Sequence, residues 1–196
     1  MDRIPIKINP RLFDKAVVPI QRALGNRLAW LDHSFGIAEF LTDVKNQKKF
    51  DSANLYVGDE QYAQIMPCDE IGNFSFFILR DPQTINRSAR RIISPISLII
   101  WYKMTDVSIL PDERNREVVK AQILAVLDAM HNPYFEMQRI YENPKNVFSD
   151  FSYDYTENQF LMHPYAGLRI DGEITATIPC IREFRSFDES YDDSYD

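Results

Sequence analysis

The chain has 196 residues, of which 45% are hydrophobic and 26% are charged, and its formal net charge is −7. This length allows one domain with a substantial core, and the mildly acidic balance excludes a body that coats nucleic acid through a basic surface. The last ten residues hold five acidic residues and no basic one, which leaves only −2 for the rest of the chain.

The cysteines and the apolar pattern indicate the compartment. Cys68 and Cys180 lie far apart, without the spacing of a metal or redox motif. They predict buried thiols in a reducing environment. No secretory signal opens the chain, and no apolar run reaches the length of a membrane span. We therefore expect a protein that is made in a cytoplasm and has no membrane partner.

The first twelve residues predict an extended arm. Ile4, Ile6 and Ile8 recur at every second position, and Pro5 and Pro10 keep this segment out of the interior of a sheet. An arm of this kind adds its backbone to a sheet edge while the alternate side chains fill pockets. We predict that the three isoleucines contact a neighbouring molecule.

Apolar residues at spacings of three and four predict the first helix, with Asp14 as its cap. Gly25 in this segment marks either close packing or a break. Residues 35–41 predict another turn or two of helix. The apolar stripe consists of Phe13, Val17, Ile20, Leu24, Leu28 and Leu31.

Short apolar stretches between turn residues predict strands at residues 55–57, 62–66 and 74–79. The run SLIIWYKM at residues 97–104 predicts a central strand, because continuous β-branched and aromatic residues suit burial on both faces. A second helix is predicted over residues 116–131, capped by Asp112 or Asn115, and it ends at an Asn-Pro pair.

The last third of the chain is less regular. Residues 134–141 predict a short helix, followed by a long loop, and residues 165–180 predict a half-buried strand, or a hairpin if Asp171 and Gly172 form a turn. The predicted fold class is therefore α/β of the α+β type. A small mixed or antiparallel sheet packs against two main helices in one domain, residues 13–183. An arm precedes this domain, and an acidic extension (residues 184–196) follows it.

No sequence motif for a metal, nucleotide or nucleophile site is present. The three histidines, His33, His131 and His163, have no Cys, His or Glu partner at zinc-binding spacing. Phosphate-binding glycine loops and the nucleophile elbow are missing as well. The sequence predicts no enzyme and no cofactor. The alternative is a small intracellular enzyme or ligand-binding domain with a site beside His163 and Tyr165.

The acidic segment, residues 187–196, combines five carboxylates with three aromatic rings. It has too little apolar surface to order itself, so we predict that another protein surface binds it, with the rings in grooves and the carboxylates against Lys or Arg. The alternative is a flexible extension that only aids solubility. The predicted contact residues are Phe187, Asp188, Glu189, Tyr191, Asp192, Asp193, Tyr195 and Asp196.

Four segments of the chain resemble a known family. They read AVVPIQRALGNRLAWLDHSFG, SPISLIIWYKM, REVVKAQILAVLDAMH and YAGLRIDGEITATIPC. These segments are similar to neck or tail-completion proteins of tailed phages, in particular of Bacteroidetes phages and prophages that include the crAss-like group. The order helix, strands, helix, strand is also similar to the tail-terminator fold. The resemblance covers most of residues 13–180.

The resemblance implies a structural virion protein, without catalysis, that forms a 6- or 12-fold ring at the head-to-tail junction. Its partners would be its own copies and other neck, portal or tail proteins, and DNA would at most pass through the lumen. It would be made in the host cytoplasm and end in the virion. A ring needs two different complementary patches on each subunit, and we predict that the two chain ends supply them. Another alternative is a dimeric cytoplasmic adaptor of a mobile element.

Overall fold

A mixed sheet lies at the centre of the molecule and has a separate hydrophobic cluster on each face. The computed structural model describes residues 1–45, 48–130, 134–150 and 158–179. The predicted α+β class is confirmed. Cys180, His131 and the acidic segment lie outside the described residues.

The secondary structure consists of short helices and longer strands. The helices are α1 (Leu12–Arg27), α2 (Met104–Val107), α3 (Arg116–Asp128) and α4 (Pro144–Val147), with 3-10 turns at Pro111–Glu113 and Asn158–Leu161. The strands are β1 (His33–Ile37), β2 (Glu39–Lys45), β3 (Lys48–Gly58), β4 (Gln61–Gln64), β5 (Phe74–Leu79), β6 (Thr84–Asn86), β7 (Arg91–Lys103), β8 (Phe135–Tyr141) and β9 (Tyr165–Thr177).

The main sheet has the strand order β1-β5-β7-β9-β8, and β6 pairs with the start of β7. Its β1–β5 pair is parallel and its other pairs are antiparallel. Strands β7 and β9 pair along their full 13 residues, from Arg91 opposite Thr177 to Lys103 opposite Tyr165. Strands β2, β3 and β4 form a second, antiparallel sheet. The prediction of a central strand at residues 97–104 is confirmed.

Strand β7 is buried on both faces because its side chains alternate between the two clusters. Leu98 and Ile100 join the cluster that contains α1 and α3. Ile99 and Trp101 join the cluster that contains residues of β3 and α4. This double burial is the reason why the strand is a continuous apolar run instead of an alternating one.

Two predictions about the first seventy residues need correction. The N-cap of α1 is Arg11 and not Asp14, and the helix ends at Arg27. Residues 35–41 are not helical, since β1 and the start of β2 occupy them. The physical reason is pairing with β5, and a register shift between Ser34 and Ile37 lets Phe35 enter one cluster and Ile37 the other.

Two predictions about the last third of the chain are also wrong. Residues 134–141 form the edge strand β8 and not a helix, because β9 offers an open edge that β8 covers. The strand predicted over residues 165–180 is confirmed as β9, whereas the hairpin alternative is wrong, because Asp171 and Gly172 lie inside β9 and do not form a turn. A Cβ atom on Gly172 would lie 2.1 Å from the Glu136 carbonyl oxygen, so glycine permits the close approach of the two strands.

The N-terminal arm packs against the body of the same chain. The Ser34 amide donates to the Arg3 carbonyl at 2.8 Å, and the buried Gln21 side chain donates to the Pro5 carbonyl at 2.7 Å. Ile4 packs so close to Gly25 that a Cβ there would meet it at 2.6 Å. Ile4 is half-buried against its own chain, and its contact with a neighbouring molecule stays a prediction. Contacts of Ile6 and Ile8 with another molecule stay a prediction, and Ile8 is 72% exposed.

Two further expectations concern the cysteines and the membrane. Cys68 is half-buried, and not fully buried as predicted, and it forms no disulfide within the described part of the chain. Among the described residues, no helix has both the length and the apolar character that a membrane span requires.

Candidate interaction surfaces

Two adjacent apolar side chains project from the loop that follows α2. Ile109 is 90% exposed and Leu110 is 58% exposed. We call this pair the apolar ridge. Full burial of such a side chain contributes about 1.5–3 kcal/mol, so a partner that covers both would gain substantial binding free energy. Single exposed apolar residues are common on protein surfaces, whereas here two adjacent large apolar side chains are exposed on one loop.

Polar contacts fix the loop that carries the apolar ridge. The Ser108 hydroxyl bonds to the Glu113 carboxylate and accepts from the Leu110 amide at 3.1 Å. Arg114 Nε donates to the Ser108 carbonyl at 2.9 Å, and Arg114 Nη2 donates to the Ile109 carbonyl at 3.4 Å. Because these bonds order the loop before any partner arrives, less conformational entropy is lost when the ridge binds.

A hollow of about 590 Å³ lies beside the ridge. It is lined by Ala29 and Trp30 after the end of α1 and by residues of α2 and the ridge loop. Trp30 donates through its indole nitrogen to the Gln122 side chain at 2.9 Å, and its ring lies 5.6 Å from that of Tyr102. Ile109 and Leu110 also line this hollow, so the ridge and the hollow form one continuous surface at one end of the molecule.

A groove of about 330 Å³ lies between the first half of α1 and the end of β9. We call it the basic-rimmed groove. Its wall is largely apolar, and Arg11 and Lys15 supply its positive charge. No carboxylate is among the described residues that line it. The apolar part of the wall includes Pro10, Leu12, Ala16, Pro19, Tyr134 and Pro179.

The apolar ridge and the basic-rimmed groove lie at opposite ends of the β7–β9 ladder. The ridge loop follows α2, which begins directly after Lys103 at the end of β7. The groove contains Thr175 and Thr177 at the end of β9, and Thr177 pairs with Arg91 at the start of β7. Helix α1 also connects the two surfaces, since it lines the groove as far as Pro19 and is followed by Ala29 and Trp30 of the hollow. Its 16 residues span about 24 Å at a rise of about 1.5 Å per residue.

A polar cluster lies beside His163 and Tyr165, where the alternative hypothesis places the site of an enzyme or ligand-binding domain. His163 is exposed, and the Tyr165 hydroxyl donates to Asp69 at 2.8 Å. Lys103 donates to the same carboxylate oxygen at 3.0 Å. Hydrogen bonds from Lys103 and Tyr165 lower the pKa of the Asp69 carboxyl, and the bond to Asp69 raises the pKa of the Lys103 ammonium. The cluster therefore moves both groups away from the neutral pKa that a general acid or base needs.

A buried arginine on β9 is not evident from the sequence pattern. Arg169 is 3% exposed and donates to both oxygens of Asp171, at 2.6 and 3.2 Å. It also donates to Asp150 at 3.0 Å and to the Ser149 hydroxyl at 2.6 Å. These bonds attach the segment after α4 to the sheet, so we assign the network to the architecture.

The predicted interface residues and the surfaces found here differ. Ile4 packs against its own chain, Ile8 is exposed, and the acidic segment lies outside the described residues. Sequence reasoning missed Ile109 and Leu110. Ile109 and Leu110 stand between Ser108 and Pro111 outside any periodic pattern, so no local pattern in the sequence shows that they are exposed.

Comparison with known proteins identifies no relative of this chain. No model of a known protein family matches the chain, and no curated protein matches it. Within the described residues, no three His, Cys, Asp or Glu side chains are grouped so that they could hold a metal ion.

Proposed function

We propose that the protein is a structural, non-catalytic component of a phage virion that joins copies of itself into a ring at the head-to-tail junction. The observation that carries this proposal is the preordered apolar ridge, Ile109 and Leu110, at one end of the central sheet. Its neighbours in the assembly would be the same chain and other neck, portal or tail proteins. DNA would at most pass through the lumen.

The position of the two surfaces favours a ring over a two-fold dimer. An isologous dimer uses the same patch on both subunits, whereas a ring joins two different patches head to tail. The apolar ridge and the basic-rimmed groove differ in shape and charge, and they lie at opposite ends of the β7–β9 ladder. This arrangement supports the contact type that the resemblance to connector proteins implies.

The first prediction tests the ridge in the full-length protein. Ile109→Asp and Leu110→Asp each place a charge where the proposed contact is dry, so we expect the oligomer to dissociate at least tenfold more readily, which corresponds to about 1.4 kcal/mol. Light scattering after size-exclusion chromatography gives the mass, and electron microscopy of the same fractions shows whether rings form.

The matched control is Ile85→Asp, because Ile85 is also an exposed isoleucine, at 60%, but belongs to neither surface. This variant is expected to keep the oligomeric mass of the parent chain. A parent chain that remains monomeric at all concentrations, or ridge variants that assemble as the parent does, would refute the proposal.

A further inference from the structure

The basic-rimmed groove has the chemistry of a peptide-binding site. Its apolar wall and its volume of about 330 Å³ suit aromatic side chains, at the lower end of the roughly 300–1,000 Å³ that binding pockets occupy. Arg11 and Lys15 lie at its edge, where charged residues of an interface normally lie. The chemical class that fits is an acidic segment with aromatic rings.

The chain itself contains such a segment. Residues 187–196 hold one phenylalanine, two tyrosines and five carboxylates, with no basic residue. The aromatic rings match the apolar wall of the groove, and the carboxylates match Arg11 and Lys15 in charge. Charge and apolar character are therefore complementary between this segment and the groove.

The chain beyond the groove is long enough to reach the groove of another copy. Pro179 lines the groove, and Tyr191 follows it by twelve residues. At about 3.4 Å per residue this connection spans up to roughly 40 Å, which is the length of the β7–β9 ladder. This length is enough to cross to a neighbour, as the proposed ring requires, and the crosslinking experiment below distinguishes that contact from a return to the groove of the same chain.

We propose that the acidic segment of one subunit binds in the basic-rimmed groove of the next subunit, with Tyr191 in the groove and neighbouring carboxylates against Lys15. This inference rests on the proposed ring, because it requires copies that lie side by side. In this assembly the groove binds the acidic segment of the adjacent chain.

The test places a photoreactive phenylalanine analogue, p-benzoylphenylalanine, at position 191 of the full-length protein. Equal amounts of the labelled chain and of a heavy-isotope unlabelled chain are mixed under assembling conditions and irradiated. We expect crosslinks between light and heavy chains that map to residues 12–19 or to Tyr134. Lys15→Glu on the acceptor chain should reduce their yield about fivefold, as expected when a favourable charge contact becomes repulsive.

Arg22→Glu is the matched control, because Arg22 is exposed on the same helix two turns further along and does not line the groove. It should leave the yield unchanged. Crosslinks within one chain, crosslinks outside the groove, or no crosslinks at all would overturn the inference. The mass of the irradiated sample, measured by light scattering, separates this result from a failure of the ring, since rings that crosslink elsewhere would leave the proposed function intact.

Discussion

At the scale of single residues, Arg169 is held by charge pairing. A buried guanidinium is costly unless opposite charges and hydrogen-bond acceptors surround it. Arg169 has the Asp171 and Asp150 carboxylates, the Ser149 hydroxyl and the Asn146 carbonyl within 2.6–3.2 Å. Burial by itself would raise the pKa of the Asp171 carboxyl, but hydrogen bonds from Arg169 and Ser97 outweigh it, so this pKa is lowered.

Arg169→Met is predicted to destabilise the protein by roughly 3 kcal/mol, because the partly buried Asp171 loses its guanidinium partner and Asp150 keeps only its ion pair with Arg80. The lowered pKa of Asp171 means that its stabilising contribution is present above the ordinary carboxyl pKa, near 4, and is lost as the pH falls through the folded-state value. The difference between the variant and the parent should therefore be largest at neutral pH and shrink in acid. Urea unfolding at several pH values measures it.

The control is Arg139→Met, because Arg139 is exposed on β8 directly opposite Asp171. Surface substitutions of this kind usually change stability by less than about 0.5 kcal/mol. If Arg169→Met is equally mild, the network contributes little to the fold.

At the scale of elements, the N-terminal arm shows how a buried polar side chain joins two segments. Gln21 is 2% exposed, and its amide nitrogen donates to the Pro5 and Ser34 carbonyls, both at 2.7 Å. One side chain thus connects the arm, α1 and β1. The arm also covers the outer edge of β1 through the bond between Ser34 and Arg3.

Gln21→Leu keeps a similar side-chain size but leaves both carbonyls without this donor. We expect a loss of about 1–3 kcal/mol of stability and faster amide hydrogen exchange over residues 3–8. Arg22→Leu, at the exposed neighbouring position, should leave the exchange of the arm unchanged. Equal protection of the arm in the Gln21 variant and the parent would show that other contacts hold it.

At the scale of the whole molecule, most of the net charge lies in the C-terminal segment and not in the body. The acidic segment carries five of the seven net negative charges. The hydrophobic clusters described for the body consist of residues before Pro179, so stability and assembly should separate experimentally.

Replacing residues 187–196 by a Gly-Ser segment of equal length should leave the melting temperature of the unassembled protein within about 2 °C, because no described core contact is lost. Assembly should weaken if the segment bridges subunits. Calorimetry and light scattering on the same preparations give both quantities. A large fall in melting temperature would instead show that the segment belongs to the core of its own subunit.

Strong local patterns predicted much of the fold. The residues of β5 and the core of β7 are evident from their apolar runs, and Asn115 is the N-cap of α3 as its sequence position indicates. Patterns that depend on a distant partner were misread. Strand β8 exists because β9 needs an edge partner, and β1 exists because β5 lies beside it.

The sequence by itself determined the α+β class, the two main helices and the central strand, because periodicity and burial on both faces are local properties of the chain. Only the tertiary structure decided that the N-terminal arm packs against the body of the same chain and that Ile109 and Leu110 project at the end of the sheet opposite the basic-rimmed groove. These features depend on contacts between residues far apart in the chain, which no local pattern encodes.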